Sequence, residues 1–168
     1  GFSVRPAGDT DGDGETDLLI GANTDGTSGY QAGAAHLFTG PFSGTMTTAD
    51  AAASMLGEAT GDFAGDDLAA DFDLNADGRA DIGVGSTNST VGDDAGRVYI
   101  LYSPVSGTVN LADADATVDG ASAADYSARV ASGDLDGDGL DDLVVGAYGA
   151  GSSSQGQIYL FFGELGAL

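Results

Sequence analysis

The pattern that decides the fold is clearest near the end of the chain. Residues 134–147 have the sequence Asp-Leu-Asp-Gly-Asp-Gly-Leu-Asp-Asp-Leu-Val-Val-Gly-Ala, which is a nine-residue acidic loop followed directly by an apolar run. Gap-free matches to the loop lie at residues 9–17 and 73–81, and each is also followed by an apolar run. A pattern that recurs in this way predicts several copies of one structural unit.

Each unit contains short apolar runs that predict strands. The runs at residues 18–22, 82–85 and 143–147 follow the acidic loops, and a polar loop and a glycine separate them from runs at 34–38, 98–102 and 158–162. Further strands are expected before the loops, around Val4, Leu68 and Val130. The runs are β-branched or aromatic and are bounded by turn residues. Residues 98–102 and 158–162 are apolar on both faces, which predicts strands buried between two layers.

A fourth, more variable strand is expected near residues 45–48 and again near 108–111. The alanine-rich stretch 48–56 could instead form one helix. Units of about four strands whose sheets stack face to face are typical of a β-propeller. The prediction is therefore an all-β, single-domain array of three propeller blades. They span residues 1–60, 61–124 and 125–168, and the last blade lacks its outer strand.

The acidic loops have the composition of cation sites. Positions 1, 3, 5 and 9 of each loop carry side-chain oxygens, and position 6 is always glycine. Position 7 varies, as expected if only its backbone carbonyl is a ligand. Oxygen ligands at alternate positions suit Ca²⁺. The expected ligands of three Ca²⁺ ions are Asp9, Asp11, Asp13, Glu15 and Asp17; Asp73, Asn75, Asp77, Arg79 and Asp81; and Asp134, Asp136, Asp138, Leu140 and Asp142.

Two familiar types of acidic loop fit these segments less well. An EF-hand needs a bidentate Glu at position 12, where these loops have Ile20, Val84 and Val145 inside predicted strands. Asp-Gly pairs also occur as ordinary turn residues. However, four oxygen-bearing side chains repeated three times at the same spacing favour a metal over turn chemistry alone.

These loops, together with the Gly-Ala runs that follow them, resemble the FG-GAP repeat of integrin α-subunit head domains. The Gly-Ala-Pro element occurs as Gly21-Ala22-Asn23 and Gly146-Ala147-Tyr148, and the Phe-Gly element survives loosely at Gly1-Phe2 and Phe63-Ala64-Gly65. The resemblance implies a propeller, usually of seven blades, with calcium between the first and second strands of a blade. It also implies that ligands dock on the opposite face.

Carried onto this chain, the opposite face consists of the loops 23–31, 86–94 and 148–155. Tyr30 and Tyr148 are candidate stacking platforms for a ligand, and Asn88 begins an Asn88-Ser89-Thr90 glycosylation sequence in such a loop. The loops are rich in Gly, Ser, Thr, Asn and Asp. They could equally be ordinary solvated loops.

Composition excludes several classes of function. There are 27 acidic and 4 basic residues, for a net charge of −23, which excludes binding to nucleic acid and disfavours anionic membranes. No apolar run is long enough to span a membrane. The chain has no cysteine. His36 is the one histidine and lies in a predicted strand, so we expect a buried or edge residue and not a catalytic base.

The expected function is a non-catalytic, extracellular, calcium-stabilised module for ligand binding or adhesion, with a protein or a glycan as its ligand. The alternatives are a glycan-binding lectin, an accessory domain of a secreted hydrolase, and a structural protein of a surface assembly. The opening residues predict a mature protein or a segment of a longer one. Three blades do not close a ring. We therefore expect either a homodimer that closes a six-bladed ring or the remaining blades of a longer chain.

Overall fold

The computed structural model of the chain describes residues 1–88 and 94–163. Within these ranges the regular structure consists of strands and two 3₁₀ turns, Thr48–Asp50 and Leu111–Asp113. None of the described residues lies in a helix long and apolar enough to cross a membrane. The strands in chain order are β1 (Ser3–Gly8), β2 (Asp17–Gly21), β3 (Ala34–Phe38), β4 (Ala53–Leu56), β5 (Ala64–Phe72), β6 (Asp81–Ser86), β7 (Arg97–Leu101), β8 (Gly107–Asn110), β9 (Ala116–Asp119), β10 (Ser127–Gly133), β11 (Asp142–Ala147) and β12 (Gln157–Phe161).

The described strands form three sheets. The first sheet has the order β1-β2-β3-β4-β8, the second β5-β6-β7-β9 and the third β10-β11-β12. All neighbouring strands are antiparallel except β4 and β8. The predicted all-β fold of stacked propeller-type blades is confirmed, and so are the strands expected around Val4, Leu68 and Val130.

Each acidic loop connects the first two strands of its sheet in the same register. Val4 lies opposite Ile20, Leu68 opposite Val84, and Val130 opposite Val145. Because successive side chains in a strand point to opposite faces, this register defines two faces of every sheet. We call the face that carries Ile20, Val84 or Val145 the leading face and the other the trailing face.

The core lies between the sheets in two layers. In the first layer, Leu19 and Leu37 on the trailing face of the first sheet pack with Val84 and Tyr99 on the leading face of the second. In the second layer, Val98 and Ile100 of the second sheet pack with Val130, Leu143 and Val145 of the third. Each trailing face therefore covers the leading face of the next sheet. Burial of each large apolar side chain stabilises the folded state by about 1.5–3 kcal/mol.

The structure corrects the expected positions of the fourth strands. The fourth strand of the first blade is β4, which lies after residues 45–48. The expected strand at 108–111 exists as β8, but it pairs in parallel with β4 of the first sheet. The fourth strand of the second sheet is β9, paired with β7. Burial is the physical reason, since Leu111 and Val109 pack into the first core layer and hold β8 there.

The alternative of a helix over 48–56 is wrong. A single 3₁₀ turn at Thr48–Asp50 is followed by β4, whose residues pair with β3. Ala53 and Met55 alternate inward along β4 and are buried in the first core layer. The apolar residues of this stretch thus follow the two-residue period of a strand, which alanine-rich composition concealed.

The two strands that were expected to be buried on both faces differ in how far they are buried. Residues 98–101 of β7 are buried between the first and third sheets, as expected. In β12 the leading-face residues Tyr159 and Phe161 pack against the second sheet. On its trailing face, Ile158 is 70% and Leu160 46% exposed, because no later sheet covers them in the described part of the chain. Glu164 to Leu168, the end of the predicted third blade, lie outside the described residues.

Candidate metal centres

The three acidic loops lie side by side at one edge of the stacked sheets. They connect β1 to β2, β5 to β6 and β10 to β11. Backbone amides join neighbouring loops, since the amide of Ala80 donates to the carbonyl of Asp9 and the amide of Asp73 donates to the Asp141 carboxylate at 3.0 Å. The stacking of the blades therefore brings the predicted metal sites to one edge of the molecule.

In the first loop the backbone wraps around the side chain of its first residue. One Asp9 carboxylate oxygen accepts hydrogen bonds from the amides of Gly12 (2.7 Å) and Asp13 (3.1 Å), and the other accepts from Gly14 (2.9 Å). Asp11 accepts from the amide of Asp13 at 3.1 Å. Gly12 and Gly14 have positive φ values of 85° and 88°, which glycine adopts without steric cost.

The second and third loops repeat this arrangement. Asp73 accepts from the amide of Gly78 at 2.7 Å, and Asp134 accepts from Gly139 at 3.1 Å. Gly78 and Gly139 again have positive φ, at 86° and 90°. The equivalent hydrogen bonds show that the residue identities shared by the loops impose one backbone conformation.

Carboxylate oxygens converge in the first and third loops. One carboxylate oxygen from each of Asp9, Asp11 and Asp17 lies within 4.8 Å of the other two. In the third loop the same is true of Asp134, Asp136 and Asp138. In the second loop the third position is an amide, and Asn75 donates to Asp77 at 3.2 Å. Oxygen atoms form this donor set, which fits a hard divalent cation such as Ca²⁺.

The residues at position 7 leave their side chains outside these clusters. The amides of Glu15, Arg79 and Leu140 donate to the carboxylates of the loop residues two positions earlier. The guanidinium group of Arg79 extends to the first loop, where it lies against Gly12. The side chains at position 7 differ, and the backbone carbonyl is the candidate ligand atom that the three residues have in common.

The last aspartate of each loop has a structural role that sequence reasoning missed. Asp17, Asp81 and Asp142 are fully buried. One oxygen of Asp17 accepts from the amide and hydroxyl of Thr10 at the start of the loop, and the other accepts from Gly40 after β3. Each carboxylate thus joins its acidic loop to the segment that follows the third strand. The invariant Asp at position 9 gave no separate signal for this role, because positions 1 and 5 are also Asp in every loop.

The other two blades reproduce this link. Asp81 accepts from the amides of Leu74 and Ser103, at 2.9 and 3.0 Å. Asp142 accepts from Leu135 and Gly163, at 2.7 and 2.8 Å. Burial raises the pKa of Asp81 to about 6, because desolvation of its charged form outweighs these hydrogen bonds.

The described residues of the candidate ligand loops lie at the opposite edge, between the second and third strands of each blade. Tyr30 is 75% exposed. Tyr148 is 52% exposed, and its ring stacks on that of Tyr126, with ring centroids 5.1 Å apart and an angle of 6° between the ring planes. Asn88 is half-buried in the turn after β6. The rest of its glycosylation sequence, Ser89 and Thr90, lies outside the described residues together with 91–93.

His36 is buried in β3, as expected, with 5% of its surface exposed. Its Nδ1 lies 3.0 Å from the Ser54 hydroxyl. Burial lowers the pKa of His36, because desolvation disfavours the imidazolium more than the charge of Asp25 favours it. Nε2 has no hydrogen-bond partner among the described residues. This environment favours a neutral ring within the sheet.

Comparison with known protein families agrees with this geometry. The model of the FG-GAP repeat matches residues 1–38 and 127–161. These segments contain β1–β3 and β10–β12 with the first and third acidic loops. Both matched segments thus have the strand–loop–strand–strand order and contain a carboxylate cluster. The resemblance seen in the sequence is confirmed, and residues 1–38 and 127–161 are FG-GAP repeats.

Proposed function

We propose that the chain is a calcium-binding, extracellular β-propeller module that binds a protein or glycan ligand without catalysing a reaction. The observation that carries the calcium assignment is the repeated wrapping of an acidic loop around its first aspartate. FG-GAP repeats are usually extracellular and typically non-catalytic, which supports both the location and the absence of catalysis.

The role of the metal follows from the charge of the loops. In the third loop three exposed carboxylates lie within 4.8 Å of one another, and the ionised groups repel at this distance. A bound Ca²⁺ ion would replace this repulsion with attraction. The loops would hold Ca²⁺ through the residues at positions 1, 3, 5 and 9 and the carbonyl at position 7. Calcium would thereby stiffen one edge of the stacked sheets.

Calorimetric titration of the metal-stripped protein with Ca²⁺ tests the metal assignment. We expect saturable binding of three ions and a higher Tm in calcium than in EDTA, because a ligand that binds only the folded state stabilises it. Mg²⁺ at the same concentration should have a smaller effect, since it requires a stricter octahedral geometry.

A matched pair of variants localises the binding. Asp11→Ala removes a ligand of the first site and should leave two ions bound. Asp113→Ala removes an equally charged, exposed residue outside the acidic loops and should leave three. Identical melting curves in calcium and EDTA would refute the assignment, as would loss of an ion in both variants.

The ligand-binding part of the proposal rests on the opposite edge. The Tyr126–Tyr148 stack presents one rigid aromatic face beside polar loop residues, and such surfaces can stack against sugar rings. This observation favours a glycan-binding lectin as the second candidate. A glycan array with wild-type protein and Tyr148→Ala separates the two. Tyr148-dependent glycan binding would support the lectin, whereas no glycan binding would favour a protein ligand.

A further inference from the structure

The two junctions between blades in this chain follow one template. At the first junction the amides of Phe63 and Ala64 donate to the carbonyls of Gln31 and Ala32, at 3.1 and 3.0 Å. At the second, the amides of Tyr126 and Ser127 donate to Asp94 and Ala95, at 3.2 and 2.7 Å. In both cases the segment that begins the next blade crosses just before the third strand of the preceding one.

A glycine allows this close approach at each junction. Gly33 and Gly96 have φ values of 80° and 79°. A Cβ atom would lie 2.2 Å from the carbonyl oxygen of Ala64 at the first position and 2.2 Å from the amide nitrogen of Ser127 at the second. The glycines are therefore needed both for their backbone conformation and for contact with the next blade.

The third sheet has the same feature with nothing packed against it in the described part of the chain. Gly156 occupies the equivalent position and has a φ of 78°. A Cβ atom there would meet only atoms of its own blade, the nearest being the carbonyl oxygen of Ala147 at 3.6 Å. Gly156 thus has the backbone conformation of a junction glycine, although no further blade packs against it in the described part of the chain.

The trailing face of the third sheet is exposed in the same region. Leu160 and Val144 occupy the positions of Leu37 and Leu19, which are buried at the first junction. Leu160 is 46% exposed, and Ile158 beside it is 70% exposed. Exposed apolar side chains grouped on one sheet face indicate an interaction surface.

The chain itself contains the complementary surface. Ile20 and Val4 on the leading face of the first sheet occupy the positions of Val84 and Leu68, which cover the first sheet at the first junction. Val4 is 52% exposed. The leading face of the first sheet is therefore the kind of surface that could cover the exposed trailing face of the third sheet.

We propose that a second copy of this chain docks head to tail, with the leading face of its first sheet on the trailing face of the third sheet. The contact repeats the two junctions already present within the chain. Two copies each contribute both faces, so two such contacts can close a ring of six blades. The proposal is independent of the metal assignment and of the ligand.

Sedimentation velocity in calcium at about 0.15 M NaCl, where exposed charges further apart than roughly 8 Å are screened, tests the proposal. Wild-type protein should have the mass of two 16.5 kDa chains. Ile158→Glu on the trailing face and Val4→Glu on the leading face should each weaken association at least about tenfold, because a charge would be buried unpaired. Phe42→Glu places the same charge on a 43% exposed side chain in the loop after β3 and should not weaken it.

Mixing the two weakened variants distinguishes this geometry from other dimers. Ile158→Glu keeps an intact leading face and Val4→Glu an intact trailing face, so an equimolar mixture should form a 1:1 pair through one junction. A symmetric dimer through like faces gives no such pair.

Circular dichroism confirms folding of each variant, and Ile158→Ser repeats the test without a charge. A wild-type mass of one chain at every concentration would overturn the proposal. Association that survives Ile158→Glu or Val4→Glu, a mixture without the 1:1 pair, or assemblies larger than two copies would also overturn it.

Discussion

At the scale of single residues, the aspartates of one loop occupy two different environments. Asp11 is exposed and accepts one hydrogen bond, from an amide in its own loop. Asp17 is buried and connects Thr10 with Gly40, on opposite sides of β2 and β3. Loss of the first carboxylate therefore removes a candidate metal ligand, whereas loss of the second also leaves buried amides without acceptors.

This difference predicts separate effects on stability. In EDTA, Asp17→Ala should lower the free energy of unfolding by about 2–4 kcal/mol, since three donors, the amide and hydroxyl of Thr10 and the amide of Gly40, lose their acceptor. Asp11→Ala should not lower the Tm in EDTA, because relief of repulsion with Asp9 offsets one exposed hydrogen bond, and it should reduce the increase that calcium produces. Chemical denaturation with and without calcium measures both. Equal losses for the two variants in EDTA would contradict the structural role of Asp17.

A second prediction concerns the protonation of His36. Its pKa is lowered by burial below the ordinary value of 6.5, so the folded state binds a proton less readily than the unfolded state does. The stability from the neutral ring is present above pH 6.5 and is lost as the pH falls below it. His36 is the one histidine of the chain, so NMR titration of its ring signals reports the pKa without ambiguity.

We expect the NMR titration to give a pKa below 6.5, and His36→Gln to reduce the fall in Tm between pH 7.5 and about 5.5. A measured pKa above 6.5 would mean that the negative charge of the whole chain outweighs desolvation at this site.

At the scale of elements, β8 is the informative strand. It lies between β7 and β9 of the second sheet in the chain, yet it pairs in parallel with β4 of the first. Leu111, directly after β8, is fully buried in the first core layer. The segment between β7 and β9 therefore holds the first two blades together.

Removal of this anchor has a predictable cost. Leu111→Ala should lower the free energy of unfolding by about 2–5 kcal/mol, the usual range for a buried leucine. Leu135→Ala deletes the same atoms from a side chain that is 54% exposed and should cost far less. Urea unfolding in EDTA compares the two without a metal contribution. A mild effect of Leu111→Ala would show that β8 packs only weakly on the first sheet.

At the scale of the whole molecule, the net charge of −23 opposes the compact state. The described residues contain four ion pairs, and exposed pairs contribute little to stability. Repulsion among the remaining carboxylates is therefore the dominant long-range electrostatic effect.

Added salt should therefore stabilise the metal-free protein. We expect the Tm in EDTA to rise between about 0.02 and 0.5 M NaCl, because the Debye length shortens over this range. Calcium should raise the Tm more than MgCl₂ of equal ionic strength does. A Tm that falls with salt would indicate that the ion pairs matter more than the repulsion.

Much of the fold was predictable because the signals are local. Short runs of β-branched and aromatic residues bounded by turn residues placed the first three strands of each blade, and repeated spacing located the three acidic loops. The helix alternative at 48–56 was wrong, and the fourth strand of the first blade lies at Ala53–Leu56 and not near 45–48. The strand expected near 108–111 exists, but it belongs to the first sheet. Alanine-rich segments have weak periodicity, and their conformation depends on the surface against which they pack.

The sequence by itself determined the repeat, the acidic loops and their shared backbone conformation, since all of these depend on residues within a few positions of one another. Only the tertiary structure decided that β8 joins the first sheet, that Asp17, Asp81 and Asp142 are buried links, and that Ile158 is exposed while its counterpart Ala35 is buried. These properties depend on which surface lies opposite a residue. That surface comes from a segment distant in the chain, which no local pattern specifies.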